Sequence, residues 1–178
     1  MENLITYSKT SPISDEKFDR LFEILEYSFP PCERGNYALH RSEFTRDEFR
    51  CMCYEPEGVP AAFINYYHLR DINALFVEHF ASAEELRGKG VGSANSLLER
   101  SGDSLVVLEV EPPEDELSRR RVQLYRRLGF TLNDGSYFQP PFYGNPKPLP
   151  LMLMSTRPLS ASEFASTAAS IHRNVYKA

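Results

Sequence analysis

The sequence predicts an α/β fold in which a mixed, largely antiparallel central sheet is flanked by helices. Three β-rich runs, 50–54, 60–69 and 74–81, are separated only by turn-forming residues, which is typical of an antiparallel meander. Helical patterns come before this meander and alternate with shorter strand patterns after it. The chain has 178 residues, of which 42% are hydrophobic, so it is long enough to build one core. We therefore expect a single domain over residues 1–178.

The part of the chain before the meander predicts two helices. The first begins at Ser14, an N-cap residue, and ends before Pro30 and Pro31. Its apolar residues recur at helical spacing: Phe18, Leu21, Phe22 and Leu25. A second helix, short and polar, is expected between Tyr37 and Phe49.

After the meander, a glycine-rich turn at 87–92 runs into a helix that stops at Gly102. A strand is expected over Leu105–Glu111 and another helix over Glu114–Leu128. The spacing of apolar residues predicts that four side chains of this helix face inward: Leu117, Leu124, Tyr125 and Leu128.

The C-terminal part predicts two short strands, Phe130–Leu132 and Leu151–Met154, separated by a long aromatic loop that begins at Tyr137. A capping box, Ser160 with Glu163, then predicts a final helix over about 160–176. We expect this helix to be an appendage that packs its apolar stripe on the rest of the domain.

The composition excludes several classes of protein. The formal net charge of -5 argues against binding to a nucleic-acid backbone, which needs clustered basic residues. The apolar content is too high for a disordered chain. We find no leader-like segment and no apolar stretch of the roughly 18 residues that cross a bilayer. The expected protein is soluble and cytoplasmic and binds neither nucleic acid nor a membrane.

The three cysteines, Cys32, Cys51 and Cys53, are an odd number, and their spacing suits neither a zinc site nor a redox pair. Alternation on a strand places Cys51 and Cys53 on one face, where they are expected to be small core side chains. We interpret all three as reduced thiols, and no metal is implied.

The glycine-rich turn is the pattern of a phosphate site, because free backbone amides and a helix dipole converge there on an anion. A Walker loop would require glycine at the position of Ala83. The dinucleotide pattern Gly-x-Gly-x-x-Gly also fails, since its last position falls on Ser93 or Asn95. Neither of these nucleotide-binding loops is therefore indicated.

The pattern that does fit is Arg-x-x-Gly-x-Gly, filled by Arg87, Gly90 and Gly92. With this motif the sequence resembles the GNAT family of N-acetyltransferases, in which the motif follows the fourth strand. Here the preceding strand ends at Ala81, six residues before Arg87.

A second motif strengthens the resemblance. Tyr125-Arg-Arg-Leu-Gly-Phe130 is similar to the family's Tyr-x-x-x-Gly-Phe signature, which follows its fifth strand. The order of elements also agrees with the family from Leu4 to about Met154. The resemblance therefore implies the GNAT-like fold of acyl-CoA N-acyltransferases.

The resemblance implies acetyl-CoA as the cofactor. Its pyrophosphate would bind the amides of the glycine turn, and its pantetheine arm would lie beside the preceding strand end, where strands of the family separate. The cofactor-binding residues so implied are Phe80, Ala81, Ser82, Arg87, Gly88, Lys89, Gly90, Val91, Gly92 and Ser93. Ser118 stands where many members have asparagine and is expected to replace some of its hydrogen bonding. The next residues, Arg119–Arg121, are either a solvated helix face or a contact to the ribose phosphate.

Two residues are candidates for proton transfer. Tyr125 matches the family's general acid, and a phenol with a pKa of about 10 can protonate a thiolate whose thiol has a pKa of about 8.5. Its helical spacing suits a buried core aromatic equally well. Glu78 stands three residues before the strand end, where several members carry a base. It is either that base or a strand carboxylate satisfied by a neighbouring Arg or Tyr.

The histidines offer no catalytic pattern of their own. Strand alternation predicts that Glu78 and His79 lie on opposite faces, with His79 packed rather than catalytic. His68 has the same interpretation, and His40 and His172 lack a pattern that would provide a partner.

The predicted reaction is acetyl transfer to the primary amine of a small molecule, by direct attack in a ternary complex. None of the cysteines falls in either motif, which disfavours a covalent intermediate. Aromatic faces attract cations, and the candidate acceptor residues are Tyr37, Tyr66, Tyr67, Tyr137 and Tyr143. The segment 137–150 is the expected lid because it joins the last two strands.

Two other functions stay open at this stage. One is a non-catalytic acetyl-CoA sensor that keeps the pyrophosphate loop, and the other is a protein N-acetyltransferase. A homodimer is one arrangement that the sequence leaves open.

Overall fold

The computed structural model describes residues 3–86, 98–142 and 146–178, with the backbone alone for residues 32 and 33. The helices are α1 (Asp15–Ser28), α2 (Pro31–Arg34), α3 (Tyr37–Glu43), α4 (Glu116–Arg127) and α5 (Ala161–Ile171). The strands are β1 (Leu4–Tyr7), β2 (Phe49–Tyr54), β3 (Ala62–Leu69), β4 (Ala74–Ser82), β5 (Leu105–Val110), β6 (Thr131–Leu132), β7 (Tyr137–Gln139) and β8 (Leu149–Ser155). A π-helical turn, His172–Tyr176, continues α5.

The strands follow the order β1-β2-β3-β4-β5-β8-β6 in the sheet, and β7 pairs with β8. Pairing is antiparallel between β1 and β2, between β2 and β3, and between β8 and each of β5, β6 and β7. The pairing of β4 with β5 is parallel. A mixed, mostly antiparallel sheet with helices is the fold class that the sequence predicts, and the prediction is confirmed.

The parallel pairing between β4 and β5 is short. It joins Ala74–Val77 to Leu105–Leu108, and β4 then continues to Ser82 beyond this register. Residues 78–82 of β4 therefore have main-chain groups on their β5 side that the ladder does not use.

The chain divides into two compact units, each with its own buried side chains. The first comprises Met1–Tyr67 with Glu78–Arg100, and the second comprises His68–Val77 with Ser101–Ala178. In the first unit the apolar face of α1 is buried through Phe18, Leu21, Phe22, Ile24 and Leu25. In the second, fully buried residues of β5 and β8 include Val106, Val107, Leu153 and Met154. The single domain over residues 1–178 stays a prediction.

Helix α1 begins where its N-cap predicts, because the Ser14 side chain accepts a hydrogen bond from the Lys17 amide. Helix α4 departs from the predicted pattern. Asp115 is its N-cap, and Leu117 is 66% exposed rather than inward. The inward stripe instead runs through Ser118 and Val122, four residues apart on the helix.

The C-terminal capping box is present: the Ser160 side chain accepts from the Glu163 amide, and the Glu163 carboxylate accepts from the Ser160 amide. Asp71 then accepts hydrogen bonds from Ser170, Arg173 and Asn174, which fix the last turns of the chain. The segment after residue 136 is not wholly a loop, since its first three residues form β7 against β8.

Cys51 and Cys53 are free thiols, and both are completely buried on β2. Burial raises the pKa of each thiol, so both stay protonated core side chains, as the sequence predicts. Within the described ranges, no helix is both long and apolar enough to cross a membrane.

A buried polar network joins β1, α1 and the end of β2. The Glu55 carboxylate is completely buried and accepts from Tyr7 Oη at 2.6 Å and from Lys17 Nζ at 2.5 Å. Burial, and then the bond to Glu55, raises the pKa of Tyr7 to about 12, so its phenol remains a donor. The three groups thus satisfy one another inside the fold.

Substituting Lys17→Met should lower the free energy of unfolding by about 3 kcal/mol, because it leaves a buried carboxylate without its counter-charge. Urea denaturation measures the change. The control is Arg20→Met on the same helix, which removes the exposed ion pair with Glu23 and should change stability by less than about 1 kcal/mol. Equal effects of the two substitutions would contradict the role of the network.

Candidate active site

Glu78 is the first residue of β4 beyond its pairing with β5. Its side chain is 6% exposed, whereas the residue as a whole is half-buried, so the exposed part is mainly backbone. Both carboxylate oxygens are buried and lack a hydrogen-bond partner within the part of the chain that the structure describes. The nearest polar contact is 3.3 Å, from Oε2 to Nδ1 of His79.

Three other buried or half-buried glutamates are held by tyrosine. Glu55 accepts from Tyr7, Glu43 accepts from Tyr67, and Glu109 accepts from Tyr137 and Tyr176. Glu78 has no such donor among residues 3–86, 98–142 and 146–178. Buried carboxylates without hydrogen bonds are uncommon and point to a function other than stability.

A fully buried histidine lies on the same side of the protein as Glu78. His40, on α3, has its Nε2 3.2 Å from the side-chain amide nitrogen of Asn65 on β3. Its ring stacks on Phe18 with centroids 5.9 Å apart and stands edge-on to His79, also at 5.9 Å. Helix α3 and strands β3 and β4 therefore enclose one buried polar cluster, His40, Asn65, Glu78 and His79.

A second carboxylate borders this cluster. Glu43 Oε2, at the end of α3, accepts from Tyr67 Oη at 2.5 Å and from Arg46 Nη1 at 2.8 Å. The Arg46 guanidinium also lies over the Tyr67 ring, 4.7 Å from its centroid. Glu43 is thus paired and hydrogen-bonded, as a buried charge must be.

The cluster sets unusual protonation states. Burial lowers the pKa of His40 to about 3, so its ring is neutral at neutral pH. Burial would raise the pKa of Glu78, but the contact with His79 and the nearby charge of Arg46 outweigh it and hold the pKa below its usual range. Burial and the Glu78 charge raise the pKa of Glu43.

The sequence misses part of this arrangement. It predicts Glu78 and His79 on opposite faces and gives no sign that their side-chain ends approach to 3.3 Å. The contact occurs at the point where the pairing of β4 with β5 ends. His40 shows no signal in the sequence, because its polar partner Asn65 is 25 residues away.

Tyr125 lies on α4 and is half-buried. Gly129 adopts a left-handed φ of 89°, which turns the chain so that the Phe130 ring packs edge-on to Tyr125 at 5.9 Å. The Tyr125 hydroxyl makes no hydrogen bond to the rest of the described chain, and burial raises its pKa above the usual 10. It is therefore a protonated phenol available to a further partner.

Comparison with known proteins shows the family. The model of the Acetyltransferase (GNAT) family matches residues 18–130, which includes Glu78, the glycine turn and the Tyr125 motif. The chain belongs to the GNAT family. It is accordingly an N-acetyltransferase, and enzymes of this family generally use acetyl-CoA.

Solved structures agree with the GNAT assignment. A protein from Bacteroides thetaiotaomicron, described as an acetyltransferase of the GNAT family, is 29% identical, with a TM-score of 0.82 over 98% of each chain. The aminoglycoside 6'-N-acetyltransferase of Enterococcus faecium has 12% identity and a TM-score of 0.60, covering 85% of this chain and 94% of its own. The ribosomal-protein-S18-alanine N-acetyltransferase of Escherichia coli has 16% identity and a TM-score of 0.56, covering 85% and 92%. The last two show the fold alone.

No curated protein matches the sequence.

The residues predicted to hold the cofactor are partly described. Phe80, Ala81 and Ser82 form the end of β4, where the Ser82 carbonyl accepts from Tyr27 Oη at 2.7 Å. The Ser118 hydroxyl takes part in the α4 capping box, where it accepts from the Asp115 amide at 3.2 Å, and it also donates to the Asp115 carbonyl at 3.1 Å. Its contact with the cofactor stays a prediction. Residues 87–93 lie outside the described residues.

The predicted acceptor residues have varied surroundings. Tyr37 is 43% exposed, packs on α1 and donates to Asp19 at 2.5 Å. Tyr66 and Tyr67 are buried on β3, and the Tyr137 hydroxyl donates to Glu109. Residue 143 lies outside the described ranges. Their contact with an acceptor stays a prediction.

Substituting Tyr67→Phe should lower the free energy of unfolding by about 1–3 kcal/mol at about pH 7.5, because the buried Glu43 carboxylate loses a donor. The loss should be smaller near pH 4. Burial already raises the pKa of folded Glu43 above 4.5, and losing the donor raises it further, so the folded state binds more protons and stability falls with rising pH.

Urea denaturation at the two pH values measures this difference. The control is Tyr37→Phe, which removes a tyrosine–aspartate bond at the surface and should change stability by less than about 1 kcal/mol at either pH. A pH-independent loss for Tyr67→Phe would contradict the account of Glu43.

Proposed function

We propose that the protein transfers the acetyl group of acetyl-CoA to the primary amine of a small molecule, by direct attack in a ternary complex. Glu78 accepts the proton of the amine, and Tyr125 protonates the departing sulfur. The observation that carries the proposal is the buried Glu78 carboxylate, which among the described residues has no close donor besides His79 and stands where the pairing of β4 with β5 ends.

The end of β4 fits the pantetheine arm of acetyl-CoA. Residues 78, 80 and 82 are half-buried while His79 and Ala81 are buried, and the pairing with β5 ends before them. Main-chain groups of this kind need partners, and an amide-bearing chain provides them as an added strand would. The glycine turn, residues 87–92, with the following Ser93 is the proposed pyrophosphate site because its motif supplies consecutive backbone amides.

Acetyl-CoA supplies an acetyl group activated as a thioester. Glu78 is suited to take the proton of the amine because its lowered pKa keeps the carboxylate ionised at neutral pH. Tyr125 is suited to give a proton to sulfur because its raised pKa keeps the phenol protonated. Cys51 and Cys53 are completely buried with raised pKa values, which supports direct attack over a cysteine intermediate.

A cationic small molecule is the proposed acceptor. The net charge of -5 favours approach of a polyamine or an aminoglycoside, and aminoglycoside acetyltransferases are among the proteins of similar structure. The second candidate is the N-terminal amine of a protein, which the similarity to the S18-alanine enzyme favours.

The first experiment is calorimetric titration with acetyl-CoA, followed by measurement of free-thiol release with polyamines, aminoglycosides and amino acids, and with a peptide that begins with alanine. Thiol release with a small amine supports the proposal. Release with the peptide alone selects the second candidate, and cofactor binding without any release supports a sensor.

Substituting Tyr125→Phe should lower kcat by about 100-fold and leave the dissociation constant of acetyl-CoA unchanged, because a proton donor acts only in the transition state. Thiol-release kinetics and calorimetry measure the two quantities. Tyr54→Phe is the control for loss of a phenol elsewhere and should leave kcat unchanged. An equal loss of cofactor affinity would show that Tyr125 binds rather than protonates.

Substituting Glu78→Gln should lower kcat by about 100-fold, because the amide keeps the shape of the side chain but cannot take a proton. The control is Glu23→Gln, an exposed carboxylate on α1 that should have no effect. Thermal melting shows whether both variants are folded. Full activity of folded Glu78→Gln would remove Glu78 from the mechanism.

A further inference from the structure

The tautomer of His40 follows from its contact with Asn65. With the Asn65 amide placed so that its nitrogen, a donor, lies 3.2 Å from Nε2 of His40, Nε2 accepts. Because the low pKa of His40 keeps its ring neutral, the remaining proton is on Nδ1. His40 therefore presents a buried N–H donor on the side of its ring away from Asn65.

This donor has no partner within the described part of the chain. Nδ1 of His40 and both oxygens of Glu78 are buried and make no hydrogen bond there. The His40 ring is completely buried, and only 6% of the Glu78 side chain is exposed. Buried donors and acceptors without hydrogen-bond partners strongly destabilise the folded state unless another molecule bonds to them.

His79 approaches Oε2 of Glu78, but within the described residues no group bonds to Nδ1 of His40. The titratable and charged groups that face Glu78 are His79 on β4, His40 and Glu43 on α3, and Arg46 after α3. Glu43 is itself an acceptor that already receives Tyr67 and Arg46. Arg34 donates to the carbonyls of Phe29 and Gly35 and pairs with Glu26. A neutral molecule that both accepts and donates satisfies His40 and Glu78 together, and water is the smallest.

We propose that one water molecule bridges Nδ1 of His40 and the Glu78 carboxylate, and that His40 is thereby a positioning residue for this carboxylate. The inference rests on the proposed role of Glu78 as the base. Neutral His40 acts as an N–H dipole rather than as a charge: the water accepts from Nδ1 and donates to the carboxylate. Hydrogen bonds to the ionised form favour it, so the bridge keeps Glu78 ionised and oriented.

The experiment uses two variants of His40, each of which keeps a hydrogen-bonding group in the place of only one of the two ring nitrogens. His40→Asn places an amide donor where Nδ1 stands, whereas His40→Gln reaches the Asn65 side and lacks a donor at the Nδ1 position. Calorimetry with acetyl-CoA and thermal melting establish that both variants are folded.

The first readout does not depend on activity. NMR of ¹⁵N-histidine-labelled protein should show His40 as the Nδ1–H tautomer. NMR of ¹³C-glutamate-labelled protein, with the Glu78 signal assigned from Glu78→Gln, follows its titration. We expect the Glu78 pKa to rise by about one unit in His40→Gln, which is a tenfold change in its ionisation equilibrium, and to stay near the wild-type value in His40→Asn.

The second readout is kinetic. His40→Gln should lower kcat about tenfold with the KM for acetyl-CoA unchanged, and His40→Asn should recover most of the loss. An Nε2–H tautomer, or an unchanged Glu78 titration in His40→Gln, would overturn the inference. A general loss of packing would lower the stability of both variants and would not separate their titrations.

The outcomes for the inference and the proposed function can be told apart. If Glu78→Gln is inactive while His40→Gln titrates and reacts as the wild type, the inference fails and the base remains. If Glu78→Gln is fully active, the proposed base fails, and the positioning role with it, whatever bridge the NMR titration shows.

Discussion

The burial of a carboxylate without a hydrogen-bond donor is the constraint on which the proposed site depends. Removing a carboxylate from water destabilises the fold unless other groups replace the lost hydration. Elsewhere in this protein, tyrosine hydroxyls replace that hydration by donating to the carboxylates of Glu43, Glu55 and Glu109. At Glu78 the described chain places two histidines instead, and its oxygens stay open to a further donor. The exception lies where the pairing of β4 with β5 ends, so an available carboxylate and unused main-chain groups occur together.

Much of the fold is predictable because it depends on local patterns. The N-cap at Ser14 and the capping box of Ser160 with Glu163 act within one helical turn, so the sequence alone locates both helices. The inward face of α4 is not predictable in this way. Its buried stripe includes Ser118, whose hydroxyl is buried because it caps the helix, while Leu117 is exposed. The spacing of apolar residues cannot predict that a polar capping side chain is buried.

The candidate site is only partly visible in the sequence for a related reason. Glu78 and Tyr125 belong to motifs read at fixed spacing, and the Tyr125 motif works locally, since Gly129 returns Phe130 to the tyrosine ring. The cluster around Glu78 has no such spacing. His40 and Asn65 come from a helix and a strand that only tertiary packing brings together. The 3.3 Å contact between Glu78 and His79 depends on side-chain conformations that the sequence pattern does not specify.

The protonation states also bear on how the proposed reaction depends on pH. The pKa of Glu78 is held low and that of Tyr125 is raised, so the base is ionised and the acid protonated throughout the neutral range. Neither group titrates there, and the acceptor amine is then the group whose ionisation limits the rate near pH 7. A carboxylate of low pKa is a weak base, so in the proposed reaction its contribution must come from position. Position is what His40 can provide, since its buried, neutral ring acts without adding a charge that varies with pH.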